Sequence, residues 1–298
     1  MSIRIGVTVP VAALLLAGCA STATSVSEPA AQPAAASVPP AMQFLYGSGE
    51  AAALSRQAYA GLTDYVLDSV ERYESGQPVR SALLAPGATL ADPQWRECKA
   101  GRPVAIVLDV DETTLLNLGF ESDAAAGNAF TPERWSEWEQ TGGDKVAPVP
   151  GVAEALNSAR AHGVTVIFNT NRSTANADAT GAMLDRAGLG PAVPGKTLFT
   201  KAAGEHGKDG RRATIASRYC VIAMVGDQLG DFSDLFEAPS LSVGERRAAA
   251  SSPAIAALWG KGWFLLPNPV YGSSLKGGVN DIFPTDKRWS PRTSGSKE

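Results

Sequence analysis

Histidine and cysteine are scarce in this chain, with two and three copies among 298 residues. They form no cluster with the spacing that zinc needs. Charge of one sign is lacking too: 26 basic residues against 30 acidic ones leave a formal charge of −4. No basic patch or RNA-binding signature stands out, so a nucleic-acid polymer is not an expected partner. The apolar stretch near the N-terminus is too short to span a bilayer, and no internal repeat is evident. What is present is a 44% hydrophobic chain, long enough to bury a full core in one domain with appendages.

The most informative segment is VLDVDET. Val104 to Leu108 form a short, continuous, β-branched run without alternation, which predicts a buried parallel strand. Asp109 and Asp111 follow it. In an open α/β sheet, the carboxyl ends of the strands are where ligands bind. Two acids at that edge can divide labour, one attacking and the other moving a proton. The plainer alternative is an Asp pair capping the next helix, with Glu112, Thr113 and Thr114 as ordinary first-turn residues.

At the N-terminus, Arg4 supplies a positive charge and residues 5–16 an apolar stretch. LAGC at Leu16 to Cys19 is similar to the lipobox of bacterial lipoproteins. That likeness implies a signal peptide over 1–18, a lipid on Cys19 and, because Ala20 follows the cysteine, residence in the outer membrane. Residues 19–40 are rich in Ala, Ser, Thr and Pro with few large apolar side chains, and read as a disordered tether. The folded domain is expected over 41–284, with a helical segment at 41–100, a cap insertion at 118–150 and a polar tail at 285–298.

Apolar spacing predicts a long amphipathic helix over 49–73, with Ala53, Leu54, Tyr59, Leu62, Tyr65, Val66 and Val70 on its packed face. The insertion is expected to hold one helix, over 132–140, since Thr131 followed by Pro132 is a good helix start. Strands over 164–170, 197–199, 220–225 and 263–266 then alternate with helices over 151–162, 174–187 and 209–217. This alternation predicts a parallel sheet with helices on both faces. Cys98 and Cys220 would both lie near the bottom of that sheet if their strands are neighbours. An oxidising compartment would permit a disulfide; separate buried thiols are the alternative.

Further candidate residues follow in order. Thr170, Asn171 and Arg172 bring a hydroxyl, an amide and a guanidinium to a strand end, a set suited to phosphate oxygens. Taken alone, the hydroxyls of Thr170 and Ser173 also suit a helix N-cap. Lys208, at a helix entry, can place a point charge on a phosphoryl group, although a lone lysine is ordinarily a solvated surface residue. GDQLGDF then sets Asp227 and Asp231 four apart, hard oxygen donors of the kind Mg²⁺ takes. His162 reads as a helix-end residue, and His206 lies in a Gly-rich loop that could reach the site.

DVDET, TNR, Lys208 and GDQLGD stand in the motif order of the haloacid dehalogenase superfamily. More closely, the chain resembles the class C acid phosphatases, the lipoprotein 5′-nucleotidase group. YGSGEAAALSRQAY, ERWSEW, PVPG and LPNPVYG look like further family segments. Val110, Phe120 and Gln228 depart from the usual residues of that group, and none removes a carboxylate.

The resemblance implies a three-layer α/β sandwich with a central parallel sheet of about five strands and a small helical cap. It implies Mg²⁺ as cofactor, held by Asp109, Asp111 through its backbone carbonyl, and Asp227, with Asp231 as a further metal-site acid that orients Lys208 or a metal-bound water. Asp109 and Asp111 would be the catalytic pair. Phe130, Trp135, Trp138 and Tyr271 would form an aromatic pocket for the leaving group, whereas the spacing of the two tryptophans alone equally suits buried packing. The implied partners are a small phosphomonoester, the membrane through the N-terminal lipid, and a second copy of the chain as a candidate homodimer. Two other functions compete: a non-catalytic haem- or nucleotide-binding lipoprotein, and a phosphotransferase that uses an alcohol acceptor. Histidine-type acid phosphatase chemistry is set aside because no RHGxR stretch exists.

Overall fold

The computed structural model describes residues 37–99 and 101–291. Cys19, the signal segment and most of the tether lie outside the described residues, as does the end of the polar tail. No helix among the described residues is long and apolar enough to cross a membrane.

Among the described residues, nine strands occur in chain order: β1 (Arg80–Leu84), β2 (Trp95–Glu97), β3 (Val104–Leu108), β4 (Leu115–Leu116), β5 (Ala147–Pro148), β6 (Thr165–Ser173), β7 (Leu198–Lys201), β8 (Cys220–Gly226) and β9 (Trp263–Leu265). Five of them form the central sheet, in the order β7-β6-β3-β8-β9, and every neighbouring pair is parallel. All five residues of β3 are buried, as its unbroken apolar run requires of a strand covered on both faces. From β3 the sheet grows outwards in both directions, to β6 and β7 on one side and to β8 and β9 on the other. The carboxyl end of β3 is therefore a topological switch point, where open sheets leave a crevice.

Six helices of eight or more residues matter for the site: α1 (Gly49–Glu74), α2 (Leu118–Ala125), α3 (Pro132–Thr141), α4 (Val152–Ala161), α5 (Ala177–Arg186) and α6 (Asp209–Arg218). One core joins Tyr59, Leu62 and Val66 of α1, Leu156 of α4 and Leu184 of α5 to Ile106 and Leu108 of β3. The opposite face of the sheet packs Ala105 and Val107 against Leu83 of β1, Ile215 of α6, and Phe232, Phe236 and Trp263. Strand alternation sends neighbouring β3 side chains into opposite cores, and the result is the three-layer α/β sandwich expected.

Several elements differ from expectation. Ala53 and Leu54 are exposed on α1, and its buried stripe runs instead through Ala51, Ser55, Tyr59, Leu62, Val66, Ser69 and Val70. Small polar residues fill the stripe because Ser55 satisfies its hydroxyl on the Ala51 carbonyl one turn back. The insertion holds two helices, α2 and α3, not one. The antiparallel pair β1–β2 was not expected; it is tied to the sheet by Ser81, whose hydroxyl donates to the Val221 carbonyl, and by the Trp263 indole, which donates to the Ala82 carbonyl. Cys98 and Cys220 form a disulfide with Cα atoms 4.9 Å apart. It links the end of the β1–β2 pair to the first residue of β8.

Candidate active site

Asp109 leaves β3 with its backbone N–H on the Val225 carbonyl of β8, so the sheet itself fixes where the carboxylate emerges. Three residues later the chain turns sharply at Glu112, which has a φ of 52°. A β-branched or bulky residue rarely holds that conformation. Glu112 is anchored by its carboxylate, which accepts from the Asn117 backbone N–H at 2.9 Å, the Asn117 amide at 3.0 Å, the Tyr46 hydroxyl at 3.2 Å and the Tyr271 hydroxyl. Burial, reinforced by the charge of Asp111, pushes Glu112 up to about 7. The Glu112 carboxylate thus joins the segment before α1, the start of the cap and the loop after β9 close to Asp111. Neither Asp109 nor Asp111 caps a helix; α2 begins only at Leu118.

A cavity of about 720 Å³ opens over the strand ends, with Asp109, Asp111, Asn171, Lys208, Asp227 and Asp231 on its floor. The Lys208 ammonium lies 2.5 Å from Asp109 Oδ1 and 2.7 Å from Asp231 Oδ1, although 99 residues separate it from Asp109. Burial opposes its charge, but the two carboxylates outweigh burial and hold the ammonium above its usual range. Its backbone is fixed as well: the Lys208 N–H donates to Asp234 at 2.8 Å, and Arg212 holds Asp234 from the next turn. Gly207 precedes it at a φ of +68°, pressed against the Asp234 carboxylate, where any side chain would collide.

Asp111 is held by three donors on one oxygen. Arg172 Nε and Nη2 reach Oδ1 at 2.9 and 2.8 Å, and the Asn117 amide reaches it at 3.0 Å. Asp227 accepts from the Thr113 hydroxyl at 2.8 Å, the Asn268 amide at 2.9 Å and the Gln228 amide at 3.1 Å. Asp231 spends its second oxygen on the backbone N–H groups of Asp227 and Gln228, which closes the tight turn after β8.

Carboxylate oxygens of Asp109, Asp227 and Asp231 lie within 4.8 Å of one another, and Lys208 is their one cationic partner among the described residues. Burial drives Asp109 well above the usual carboxylate range against the pull of Lys208. It pushes Asp227 up to about 7, with Asp231 adding to the effect. Three buried acids sharing one ammonium are short of positive charge, and all offer hard oxygen donors. The donor set suits a divalent cation.

The structure corrects three site assignments. Strand β6 does not stop at Thr170; it continues to Ser173, still pairing with β7 through Ser173 and Lys201. Alternation along the extended strand turns Thr170 and Arg172 to one side and Asn171 to the other. Only Asn171 therefore lines the cavity. Thr170 is fully buried, its hydroxyl accepting from the Arg172 N–H, and does not face the cavity. Arg172, also fully buried, turns its guanidinium to Asp111, Asn117 and the Met183 sulfur and is not on the cavity wall. Trp138 is the third correction: it is buried, donates from its indole to Asn117 Oδ1 at 3.0 Å, and packs beneath Phe120.

Phe130, Trp135 and Tyr271 do line the cavity, and Phe120 joins them. Phe120 meets Trp135 edge-on with ring centroids 4.9 Å apart. His206 is exposed and lies off the cavity wall, while His162 ends α4 with its ring on the Ser158 carbonyl. Asn117, Asn268 and Tyr46 are site residues that the sequence reading did not single out, although Asn268 and Tyr46 fall within its LPNPVYG and YGSGEAAALSRQAY segments. Asn117 carried no motif signal at all.

Residues 56–274 match the family model for the HAD superfamily, subfamily IIIB (acid phosphatase). The chain belongs to this family. Two solved structures of the class C acid phosphatase from Bacillus anthracis, one with tungstate bound, superpose with a TM-score of 0.61. Each is 24% identical and covers 78% of this chain and 84% of its own, a likeness that speaks to the fold. The phosphatase is thus a phosphomonoester hydrolase on an α/β frame, with a carboxylate cluster able to hold a divalent ion.

Proposed function

We propose that this phosphatase works through an aspartyl phosphate on Asp109, with Asp111 as general acid and base and Mg²⁺ as its divalent ion. One observation carries the reading. Among the described residues, each of the two carboxylates has one oxygen tied by a cation, Lys208 for Asp109 and Arg172 for Asp111, and no partner on the other. Both residues line one cavity. A pair of capping aspartates would show neither feature.

Asp109 Oδ2 attacks phosphorus and the bond to the leaving-group oxygen breaks, while Asp111 Oδ2 supplies the proton that the departing alkoxide needs. Asp111 then takes a proton from water as that water opens the acyl phosphate. Lys208 and the Asn171 amide are placed to hold the transferring oxygens. The side chains of Asp109 and Asp227, with the Asp111 carbonyl, would hold the ion, and Asp231 keeps Lys208 aimed at Asp109. When bound, Mg²⁺ screens the nucleophile from the phosphate and offsets the developing charge.

The aromatic wall of Phe120, Phe130, Trp135 and Tyr271 supports esters with flat leaving groups: nucleoside 5′-monophosphates, nicotinamide mononucleotide and aryl phosphates. Stacking one ring there contributes roughly 1 to 3 kcal/mol by analogy with single-strand binders. We also propose that Cys19 carries a lipid that tethers the phosphatase to the outer membrane; Cys19→Ser would then release it into the soluble fraction. Hydrolysis of p-nitrophenyl phosphate tests the core of the reading. It is expected to vanish in Asp109→Asn and, reversibly, on chelation, and activity that survives both treatments excludes this site.

A further inference from the structure

Of the carboxylates on the cavity wall that the reaction above does not use, one has no side-chain partner among the described residues. Glu121 of α2 is only 7% exposed, yet it lines the cavity beside Phe120. Among the described residues its side chain makes no hydrogen bond or ion pair; its principal electrostatic neighbour is Asp111, another acid, and burial together with that neighbour pushes it up to about 7. Each of the other acids on the wall has at least one hydrogen-bond or ion-pair partner. Lys208 serves Asp109 and Asp231, Arg172 serves Asp111, Arg212 serves Asp234, and Arg246 serves Glu237. Asp227 is held by Thr113 and Asn268. Lys208 is also the one basic residue on the wall.

A carboxylate so shielded from water and without a protein partner is costly when ionised, and a cationic ligand in the cavity can supply the charge that no side chain there provides. The rings beside it suit such a ligand. Phe120, Phe130 and Trp135 pack on one another with centroids 4.9 to 6.3 Å apart, and Phe130 is 61% exposed. A weakly hydrated cation is attracted to aromatic faces, and quaternary ammonium groups are the usual beneficiaries. A second anionic group on the leaving alcohol would meet Glu121 with no basic side chain to receive it.

We propose that Glu121 is a specificity-determining residue, selecting phosphomonoesters whose leaving alcohol carries a quaternary ammonium, held between its carboxylate and the aromatic wall. The inference deepens the proposed function and rests on it. The phosphoryl group still passes to Asp109 and the alcohol still leaves with the proton from Asp111; the cation remains on the alcohol throughout.

Phosphocholine and 3,3-dimethylbutyl phosphate isolate the charge, because they differ by a nitrogen for a carbon in otherwise matching leaving groups. Their kcat/KM values are compared at pH 8, where Glu121 is ionised, in the full-length phosphatase with Mg²⁺, alongside p-nitrophenyl phosphate. The parent is expected to favour phosphocholine by about tenfold. Glu121→Gln brings the ratio close to one, while Glu133→Gln, on the exposed face of α3, keeps it. A parent that hydrolyses p-nitrophenyl phosphate but treats the matched pair alike overturns the inference alone, and so does a ratio that survives Glu121→Gln. A parent that hydrolyses none of the three overturns the catalytic reading and the inference with it.

Discussion

Arg172 shows how a residue's work depends on which side of a strand it leaves. A guanidinium after a Thr-Asn pair suggests phosphate binding, but one step of alternation sends it under the cavity to Asp111. There it fixes the acid that we propose protonates the leaving group. Lysine cannot reproduce the paired grip, so Arg172→Lys is expected to lower kcat about 10- to 100-fold, with a much smaller change in KM. A rise in KM at constant kcat would instead return Arg172 to the phosphate. Trp138 makes the complementary case, because its indole serves Asn117 and not the cavity. Trp138→Phe is expected to cost about 1 kcal/mol or somewhat more in stability by denaturant titration and to leave KM for aryl phosphates as it was, whereas Trp135→Ala raises that KM. Asp109, Asp111 and Asp227 stood out in the sequence because each follows an unbroken apolar run that periodicity can locate, whereas Lys208 was singled out only by the motif order of the superfamily the chain resembles. Asn117 and Glu121 were not, since their roles arise only when the cap folds back over β3.

At the scale of elements, the central sheet was readable because buried parallel strands are unbroken apolar runs, and β3 and β8 are nearly pure examples. The β1–β2 pair was not readable: RSALL and WRE are short, separated by a loop, and held mainly by contacts to the sheet. The length of β6 was missed for a related reason. Its last three residues are polar, and only pairing with β7 reveals them as strand. The disulfide joins two of these elements across a sequence separation of 122 residues. Closing so long a loop restricts the unfolded chain strongly, and removing such a bridge typically costs about 2 to 5 kcal/mol. Cys98→Ser is therefore expected to lower the melting temperature while leaving kcat of the folded enzyme intact, since the bridge lies at the start of β8 and the chemistry at its far end. An unchanged melting temperature would mean that the bridge constrains little.

Over the whole molecule, the charge ledger of the cavity decides how stability follows pH. Glu121 titrates near 7 when folded, against 4.5 as its ordinary value, so the folded state prefers its neutral form. Its contribution to stability is complete below about pH 4.5 and lost as pH rises through about 7. Thermal melts in the presence of a chelator should accordingly fall across that window, and Glu121→Gln should fall less. Equal slopes in parent and variant would show that Glu121 is ionised throughout. The same shortage of positive charge around Asp109 and Asp227 accounts for the expected need for a divalent ion, and it makes the carboxylate cluster the feature on which stability and chemistry both depend.

The central claim is that Asp109 becomes phosphorylated, and acid quenching during turnover of p-nitrophenyl phosphate tests it most directly. Borohydride reduction of the quenched protein followed by peptide mass spectrometry locates the trapped acyl phosphate. Reduction at position 109, dependent on substrate and lost in Asp109→Asn, is the expected result. A phosphoryl group on any other side chain, or turnover with Asp109 never modified, would contradict it.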